Sequence, residues 1–385
     1  AEAYLVYFEW TPHAVPPYID DSIGRPDYEG DGFEIYQGNH AKWSYQGDWQ
    51  PAGQTWNQAG KFDSDKSTSS MAELDLSHYA GQTKYVYVTW HKNHDWRDDS
   101  VRYVLYDDAG TLAEATLDHR NHANGLNLQD DTFAGWRQIG DQPLAITSTT
   151  KLKVMHAGEV LPNEYLQNDA VMVSDHLIID NTSPGAGNAF EGNPALSVNS
   201  VGLRGIGHHW SMQGAGYQST AQENAEHVVA PNEALEDGFY YVDVSWDYVN
   251  TMKFATQALY TVNGVDAAIV NQNLHADRQG TAFTPGNSVG SWSGFYRLPG
   301  IYMHTAEAPI EVKLHEGTGN EGELVADMVR FVPVGDLTGP EFAEAVVKQM
   351  RANSKAWHGA SVADRIKLWK ANQKLGKLAG QQEKP

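Results

Sequence analysis

The densest cluster of residues that could do chemistry spans 90–97 and reads Trp-His-Lys-Asn-His-Asp-Trp-Arg. An alternating strand precedes it, so we expect a loop at one end of a β-sandwich, where binding sites usually lie. Sugars present apolar faces ringed by hydroxyl groups, against which an exposed Trp96 could stack. His94, Asp95 and Arg97 would then reach the hydroxyls or a carboxylate of the sugar. The simpler alternative is that Trp90 belongs to the core and that the rest of the segment is a solvated loop.

A catalytic interpretation of the same segment uses His91, His94 and Arg97, in a secreted polysaccharide lyase or glycoside hydrolase. The corresponding stretch of the second half, 247–250, reads Asp-Tyr-Val-Asn and has no histidine, although its Tyr248 could still contact sugar. A duplicated catalytic site is therefore not expected. Paired carboxylates of a hydrolase have no recognisable sequence spacing, because their separation is set in space. The enzyme alternative therefore stays open.

Two aspartate-rich turns could supply oxygen ligands to calcium. One contains Asp63 and Asp65, and the other contains Asp107 and Asp108. The full twelve-residue calcium loop between helices is missing, and aspartates in turns more often satisfy turn geometry. The paired histidines do not lie in predicted helices, so they do not predict a zinc site. We expect no cofactor, with calcium as the alternative.

The elements that must position these residues occur twice along the chain. A strand ending in tryptophan reads Tyr-Val-Tyr-Val-Thr-Trp from residue 85 and Tyr-Val-Asp-Val-Ser-Trp from residue 241. Four further landmarks follow in the same order, at 103, 136, 152 and 169 in the first copy and at 260, 292, 312 and 327 in the second. The offset stays between 156 and 160 residues, which indicates an internal duplication.

The pattern predicts a mainly β protein with two tandem antiparallel β-sandwich (jelly-roll-like) domains and a short C-terminal helical hairpin. We divide the chain into a leader with an extra strand at 1–30, a first module at 31–181, a second module at 188–335 and a basic helical tail at 340–385. A turn-rich segment at 181–187 separates the modules. The tail begins with a capping-box pattern and continues with apolar residues at helical spacing.

Composition narrows the function classes. The 385 residues carry a formal net charge of −22 and no cysteine. Nucleic acid is not an expected partner, because phosphate binding needs basic patches that the two modules lack. No apolar run is long enough to insert into a membrane. The first residues, Ala-Glu-Ala-Tyr, look like a processed end, and we expect a secreted, extracellular protein, most simply a bacterial one.

Five motifs of the second module share the pattern of one known domain family. They are Val-Ser-Trp at 244–246, Tyr-Thr-Val at 260–262, Val-Asn-Gln at 270–272, Trp-Ser-Gly-Phe at 292–295 and Val-Ala-Asp-Met-Val-Arg-Phe at 325–331. They resemble the golvesin/xanthan-lyase carbohydrate-binding-like domain over about 190–335, and the first module matches less well. The resemblance implies an extracellular β-sandwich associated with polysaccharide, and it implies no catalytic residues.

These observations favour a non-catalytic extracellular protein that is structural and self-assembling, as a matrix or filament subunit, or that binds polysaccharide. The strand at 4–10 has no counterpart before the second module and could add to a neighbouring sheet. The tail has nine basic and four acidic residues, so it is +5 beside a body of −27. The expected partners are therefore polysaccharide and further copies of the chain. The alternative is the polysaccharide-degrading enzyme.

Overall fold

The computed structural model describes fifteen stretches of the chain. They are 32–52, 60–64, 67–91, 97–121, 136–158, 164–180, 189–191, 217–218, 226–229, 235–248, 254–274, 291–305, 309–316, 324–326 and 328–334. The predicted leader, the turn-rich segment 181–187 and the helical tail lie outside these residues, so the predictions made for them stay predictions. No helix in the described part is long and apolar enough to cross a membrane.

The described part of the chain is almost entirely β, as the alternating sequence pattern predicts. The strands of the first half are β1 (Phe33–Gln37), β2 (Trp43–Gln46), β3 (Trp49–Pro51), β4 (Lys61–Asp63), β5 (Met71–Asp75), β6 (Thr83–Thr89), β7 (Val101–Asp107), β8 (Gly110–Leu117), β9 (Arg137–Gln138), β10 (Leu144–Ala145), β11 (Lys151–His156), β12 (Gln167–Asn168) and β13 (Ala170–Ser174). A short 3-10 turn, Ser77–Tyr79, follows β5.

The first half forms one sandwich of two antiparallel sheets. One sheet has the order β1-β13-β6-β10, with β9 also on β6, and the other has the order β2-β5-β11-β7-β8. Along β11, Leu152 and Val154 point into the core while Lys151 and Lys153 are half-buried outside, as period-2 alternation requires. A small sheet, β12-β4-β3, packs across the end of the sandwich where β11 finishes.

The second half repeats this architecture. Its strands are β14 (Leu177–Asp180), β15 (Ala189–Glu191), β16 (Tyr217–Gln218), β17 (Glu226–Val229), β18 (Gly238–Tyr248), β19 (Ala258–Val262), β20 (Val265–Val270), β21 (Ser291–Arg297), β22 (Tyr302–His304), β23 (Val312–Glu316), β24 (Val325–Ala326) and β25 (Met328–Pro333). One sheet has the order β14-β25-β18-β21 with β22 also on β18, so that β21 and β22 take the places of β9 and β10. The other sheet, β15-β17-β23-β19-β20, matches its counterpart strand for strand.

The chain passes between the sandwiches earlier than the sequence analysis placed the boundary. Strand β14 lies inside the predicted first module, yet it pairs with β25 of the second sandwich, with Leu177 opposite Phe331. It occupies the place that β1 has in the first sandwich. Leu177 and Ile179 point into the second core, which explains why this apolar run belongs there. Only Asp175 and His176 connect the two sandwiches.

The sheet that contains β1, β13 and β6 packs its outer face against the outer face of the sheet that contains β14, β25 and β18. We call this contact the joint. The residues that form the joint cluster are Phe33, Tyr87, Trp136, Ala170 and Met172 from the first sandwich, with Ile178 and Met328 from the second. Each of these side chains is turned away from the core of its own sandwich. The backbone N–H of Ile178 donates to the hydroxyl oxygen of Tyr87 at 2.9 Å. The joint is therefore a packed apolar contact with a hydrogen bond across it.

A buried ion cluster lies beside this joint on the second sandwich. Asp243 accepts hydrogen bonds from Arg330 Nη2 at 2.8 Å and from Arg297 Nε at 2.8 Å. Burial acts to raise the pKa of Asp243, but the two guanidinium groups outweigh it and hold the pKa below its ordinary value. The Arg330 guanidinium lies 4.0 Å from the centroid of Phe295, a ring packed on the joint cluster. The carboxylate thus neutralises an arginine held against the apolar joint.

We expect Asp243→Asn to lower the free energy of unfolding by about 3 kcal/mol or more, because it leaves the buried Arg330 without its counter-charge. Urea denaturation of both chains measures the difference. The matched control is Glu114→Gln, which breaks the exposed Arg102–Glu114 pair and should cost less than about 1 kcal/mol. Equal losses in the two variants would contradict the role given to the buried cluster.

Candidate functional site

The predicted sugar-binding loop is described only at its two ends. His91 and Arg97 are 5% and 9% exposed, and Arg97 Nε donates to the carbonyl oxygen of His91 at 3.3 Å. His94, Asp95 and Trp96 lie outside the described residues, so their contact with sugar stays a prediction. Tyr248 ends β18, where its backbone pairs with that of Ser291, and its side chain is not described.

The predicted calcium residues fall into different environments. Asp107 serves its own turn, since Oδ1 accepts from the N–H of Ala109 at 2.8 Å and Oδ2 accepts from Thr147 Oγ1 at 3.1 Å. Asp108 is exposed in the same turn, and Asp65 lies outside the described residues. Asp63 is fully buried. Calcium binding stays a prediction, but buried Asp63 does not share the turn that holds Asp107 and Asp108.

Four buried ionisable residues meet at one end of the first sandwich, which we call the polar end. Asp63 ends β4, Asp98 precedes β7, His119 follows β8 and His156 ends β11. The strands finish at the same end, so residues far apart in sequence come together. None of the four is more than 5% exposed. Buried charges are costly unless they are paired, so their mutual contacts decide what they can do.

His156 lies between the two carboxylates of the polar end. Its Nδ1 hydrogen-bonds to Asp98 Oδ2, and its Nε2 lies 3.8 Å from Asp63 Oδ2. The other oxygen of Asp98 accepts from the N–H of Ser100 at 2.8 Å. Burial alone would raise the pKa of Asp98. The hydrogen bonds from His156 and Ser100 lower it by more, so the pKa lies below its ordinary value. Asp98 is therefore ionised and fixes one edge of the imidazole.

His119 is held neutral by its surroundings. Its ring stacks on Trp90 with centroids 4.8 Å apart, and its Nε2 lies 3.0 Å from the hydroxyl of Tyr103. Complete burial lowers the pKa of His119 to about 3, because desolvation disfavours the imidazolium form. The residue is thus a neutral hydrogen-bonding group at physiological pH rather than a proton donor.

The second sandwich keeps a backbone hydrogen bond of the polar end and replaces Asp98 and His119. In the first sandwich the N–H of His119 donates to the carbonyl of Asp98 at 3.0 Å. In the second, the N–H of Gln272 donates to the carbonyl of Ala255 at 2.8 Å. The two landmark tryptophans also match, since each indole N–H donates to a carbonyl at 3.0 Å, of Asn121 or of Leu274. Asp98 and His119 are therefore particular to the first copy.

An acidic group next to the polar end already has its counter-charge. Carboxylate oxygens of Asp98, Asp99 and Glu164 lie within 4.8 Å of one another. Arg120 reaches into this group, with Nη2 at 2.8 Å from Asp99 Oδ2 and Nη1 at 4.0 Å from Glu164 Oε1. Because the guanidinium supplies the positive charge, this acidic group does not indicate a metal site.

An aromatic surface lies where β2 meets the β3–β4 hairpin, and we call it the hairpin platform. The half-buried rings of Tyr45, on β2, and Trp49, on the antiparallel β3–β4 hairpin, have centroids 4.9 Å apart. Tyr45 donates to the carbonyl of Gly38 and accepts from Asn168 Nδ2 at 2.8 Å. Lys61 Nζ lies 4.3 Å from the centroid of the Tyr45 ring. The Tyr45 ring is therefore fixed at its hydroxyl and on its face.

Exposed polar side chains border the hairpin platform. Asp48 Oδ1 accepts from Gln50 Nε2 at 2.6 Å, and Asp48 Oδ2 accepts from Ser64 Oγ at 2.5 Å. The turn before Asp48 needs glycine, because Gly47 has φ of +104° and a Cβ there would lie 2.4 Å from Ser70 Oγ. Sequence analysis missed this site, although the aromatic spacing Trp-x-Tyr-x-x-x-Trp from residue 43 was a usable signal.

Comparison with known proteins gives distant structural neighbours only. No family model and no curated protein matches the chain. Among solved structures, a Paenibacillus xanthan lyase is 16% identical with a TM-score of 0.27, covering 82% of this chain and 27% of that one. A cycloalternan-forming enzyme from Listeria monocytogenes is 11% identical with a TM-score of 0.28, covering 78% of this chain and 22% of that one.

A third neighbour is the pair of tandem CBM51 modules from a family 98 glycoside hydrolase of Streptococcus pneumoniae. It is 10% identical with a TM-score of 0.25, covering 78% of this chain and all 100% of that one. This chain spans about a quarter of the length of the first two neighbours. Likenesses at such TM-scores assign no function to this chain.

The burial of His119 predicts an acid-sensitive fold. With a pKa of about 3 in the folded chain and about 6.5 in the unfolded chain, the unfolded chain binds one proton more between these pH values. Stability should therefore fall as pH drops through this window, by up to about 1.4 kcal/mol per pH unit from this residue. His119→Gln, which installs the residue found at the same place in the second sandwich, should flatten the slope.

Urea denaturation of both chains at pH 7, 6, 5 and 4 measures this difference. Other buried histidines, such as His304, contribute equally to both chains and cancel in the comparison. Parallel slopes for the two chains would show that His119 does not stay neutral in the fold.

Proposed function

We propose that this chain is a non-catalytic, extracellular polysaccharide-binding protein that holds a sugar chain on the hairpin platform. The observation that carries the proposal is the aromatic pair formed by Tyr45 on β2 and Trp49 on the β3–β4 hairpin, bordered by exposed polar side chains. An aromatic face with hydrogen-bonding groups at its edge suits a pyranose ring, whose apolar face is surrounded by hydroxyls.

The chemistry of the platform favours a neutral polysaccharide. Asp48 and Gln50 present a carboxylate and an amide, which can accept from and donate to sugar hydroxyls. Among the described residues, Lys61 lies over the Tyr45 ring. The chain as a whole carries −22, which repels a polyanionic polymer at a distance. The ligand class is therefore a neutral polysaccharide.

The buried ends of the 90–97 loop support the non-catalytic reading. The enzyme alternative assigns catalysis to His91, His94 and Arg97. His91 and Arg97 are buried and contact each other, so neither presents an accessible titrating group to a polymer. General acid–base catalysis needs such a group within hydrogen-bonding reach of the substrate.

Binding should depend on the aromatic face of the platform. We expect Trp49→Ala to weaken binding to a neutral polysaccharide by at least tenfold, about 1.4 kcal/mol, because the stacking surface is lost. Affinity electrophoresis against a panel of neutral and anionic polysaccharides measures the change. The control is Ile269→Ala, which removes an exposed apolar side chain from the second sandwich and should leave binding unchanged.

Melting temperatures of both variants show whether the fold is kept, since Trp49 also packs at the margin of the core. A folded Trp49→Ala chain that retains full affinity would refute the platform. Retention of the intact chain by anionic polymers alone would refute the choice of ligand.

Self-assembly rests on segments outside the described residues and is proposed from sequence. An apolar strand at 4–10 and a tail of +5 beside a body of −27 offer two ways to join copies. We expect removal of 1–10 or of 340–385 to abolish large assemblies in light scattering. Assembly that survives both truncations would contradict this part of the proposal.

A further inference from the structure

We propose that Asp63 and His156 bind a divalent transition-metal ion, of which Zn²⁺ is the best probe, with Asp98 orienting the histidine. The proposal goes beyond sugar binding, because these buried side chains do not lie on the hairpin platform. It shares Asp63 with the calcium expectation but differs in the ion and in its second ligand, His156.

The first argument is a buried nitrogen without a hydrogen bond. The His156 side chain is 2% exposed, and among the described residues Nε2 has no hydrogen-bond partner. Leaving a buried polar atom unsatisfied costs about 1–3 kcal/mol, so native structures rarely keep one without a reason. Here the atom faces the buried carboxylate of Asp63, whose Oδ2 lies 3.8 Å away.

The second argument is the orientation of the His156 ring. Nδ1 of His156 hydrogen-bonds to Oδ2 of Asp98, so Nε2 is the atom that faces Asp63. An imidazole nitrogen and a carboxylate oxygen are both common metal ligands, and here they face each other without a hydrogen bond between them. A shared proton would bring the two atoms to a hydrogen-bonding distance of about 2.7–3.2 Å, shorter than the 3.8 Å seen.

A metal ion fits this separation better. With bonds of about 2.1 Å, two ligands in a tetrahedral site lie about 3.4 Å apart. The observed 3.8 Å is within a few tenths of an ångström of that value. A carboxylate on the far nitrogen is the usual partner of a metal-bound histidine, because it fixes the ring and raises its basicity. Asp98 holds this position.

The ligand set selects the ion. One imidazole nitrogen and one carboxylate oxygen suit Zn²⁺ and its neighbours, whereas Ca²⁺ takes six to eight oxygen ligands. Two protein ligands leave the other coordination positions to water, so the site should be weaker than a four-ligand structural zinc site. In the second sandwich Ala255 stands where Asp98 stands in the first, and Glu316 pairs with Ala258 where His156 pairs with Val101. We therefore expect one ion per chain.

A bound ion would also help to fix the position of the hairpin platform. Ser64 directly follows Asp63, and its N–H and Oγ donate to the carbonyl of Asp48 at 2.8 and 3.0 Å. Fixing Asp63 to His156 therefore fixes the strand that holds the polar border of the platform.

Zn²⁺ binding to the full, untagged chain tests the proposal by competition with a chromophoric chelator. We expect one ion bound more tightly than any others, and a rise in melting temperature that a chelator reverses. His156→Gln and Asp63→Asn should each weaken this site at least tenfold, and Asp98→Asn by about tenfold or more. His40→Gln and Asp108→Asn, which change an exposed histidine and an exposed aspartate, should leave it unchanged.

Absence of a tight ion in the intact chain, or unchanged affinity in folded His156→Gln, would overturn the proposal. A melting temperature that responds to His156→Gln but not to Zn²⁺ or chelator would show an ion pair only. If that variant does not fold, X-ray absorption spectroscopy of the zinc-loaded intact chain tests the assignment instead. A zinc coordination shell that contains no imidazole would contradict it. Trp49→Ala should lose sugar and keep zinc, so failure of one proposal can be told from failure of the other.

Discussion

The organisation of the molecule depends on a connection of two residues between two sheets. Strand β13 ends at Ser174 and β14 begins at Leu177, so the chain can cover no more than roughly 11 Å between them. Two sandwiches so close must pack face to face. The outward residues of both sheets are therefore apolar where they meet, and the Asp243 carboxylate beside them is bonded to two guanidinium groups. Successive side chains along a strand point to opposite faces of its sheet. Those on one face form the core of a sandwich, and those on the other face form the joint.

Because the two sandwiches are copies, comparing them separates the features that the fold requires from those that only one copy has. Both sandwiches close the same end with a tryptophan whose indole bonds to a carbonyl, so this feature belongs to the fold. In the second copy Ala255 and Gln272 stand where the first has Asp98 and His119. The fold does not need these two ionisable residues. Their presence in one copy is what singles the polar end out as a place for function.

The sequence predicted the fold class well, because alternation and the repeated landmarks report directly on inward and outward faces. The mainly antiparallel β architecture is confirmed. The point of crossing was missed, since Leu177-Ile178-Ile179 is equally apolar whichever sandwich it joins, and the glycine-rich turn after it looks like a linker. The polar end could not be read from spacing, because Asp63, Asp98 and His156 come from separate strands and meet only through sheet register. The loop at 92–96 lies outside the described residues, so sequence remains the guide there.

The place of β14 has a practical consequence for anyone who wants to study the halves apart. A cut in the turn-rich segment at 181–187 would strip the second half of Leu177 and Ile179, two of its core residues. The first half would keep the same strand as an apolar end with no sheet to join, which invites pairing between molecules. Dividing the chain between Asp175 and His176 instead gives each half its full complement of strands, and exposes only the joint.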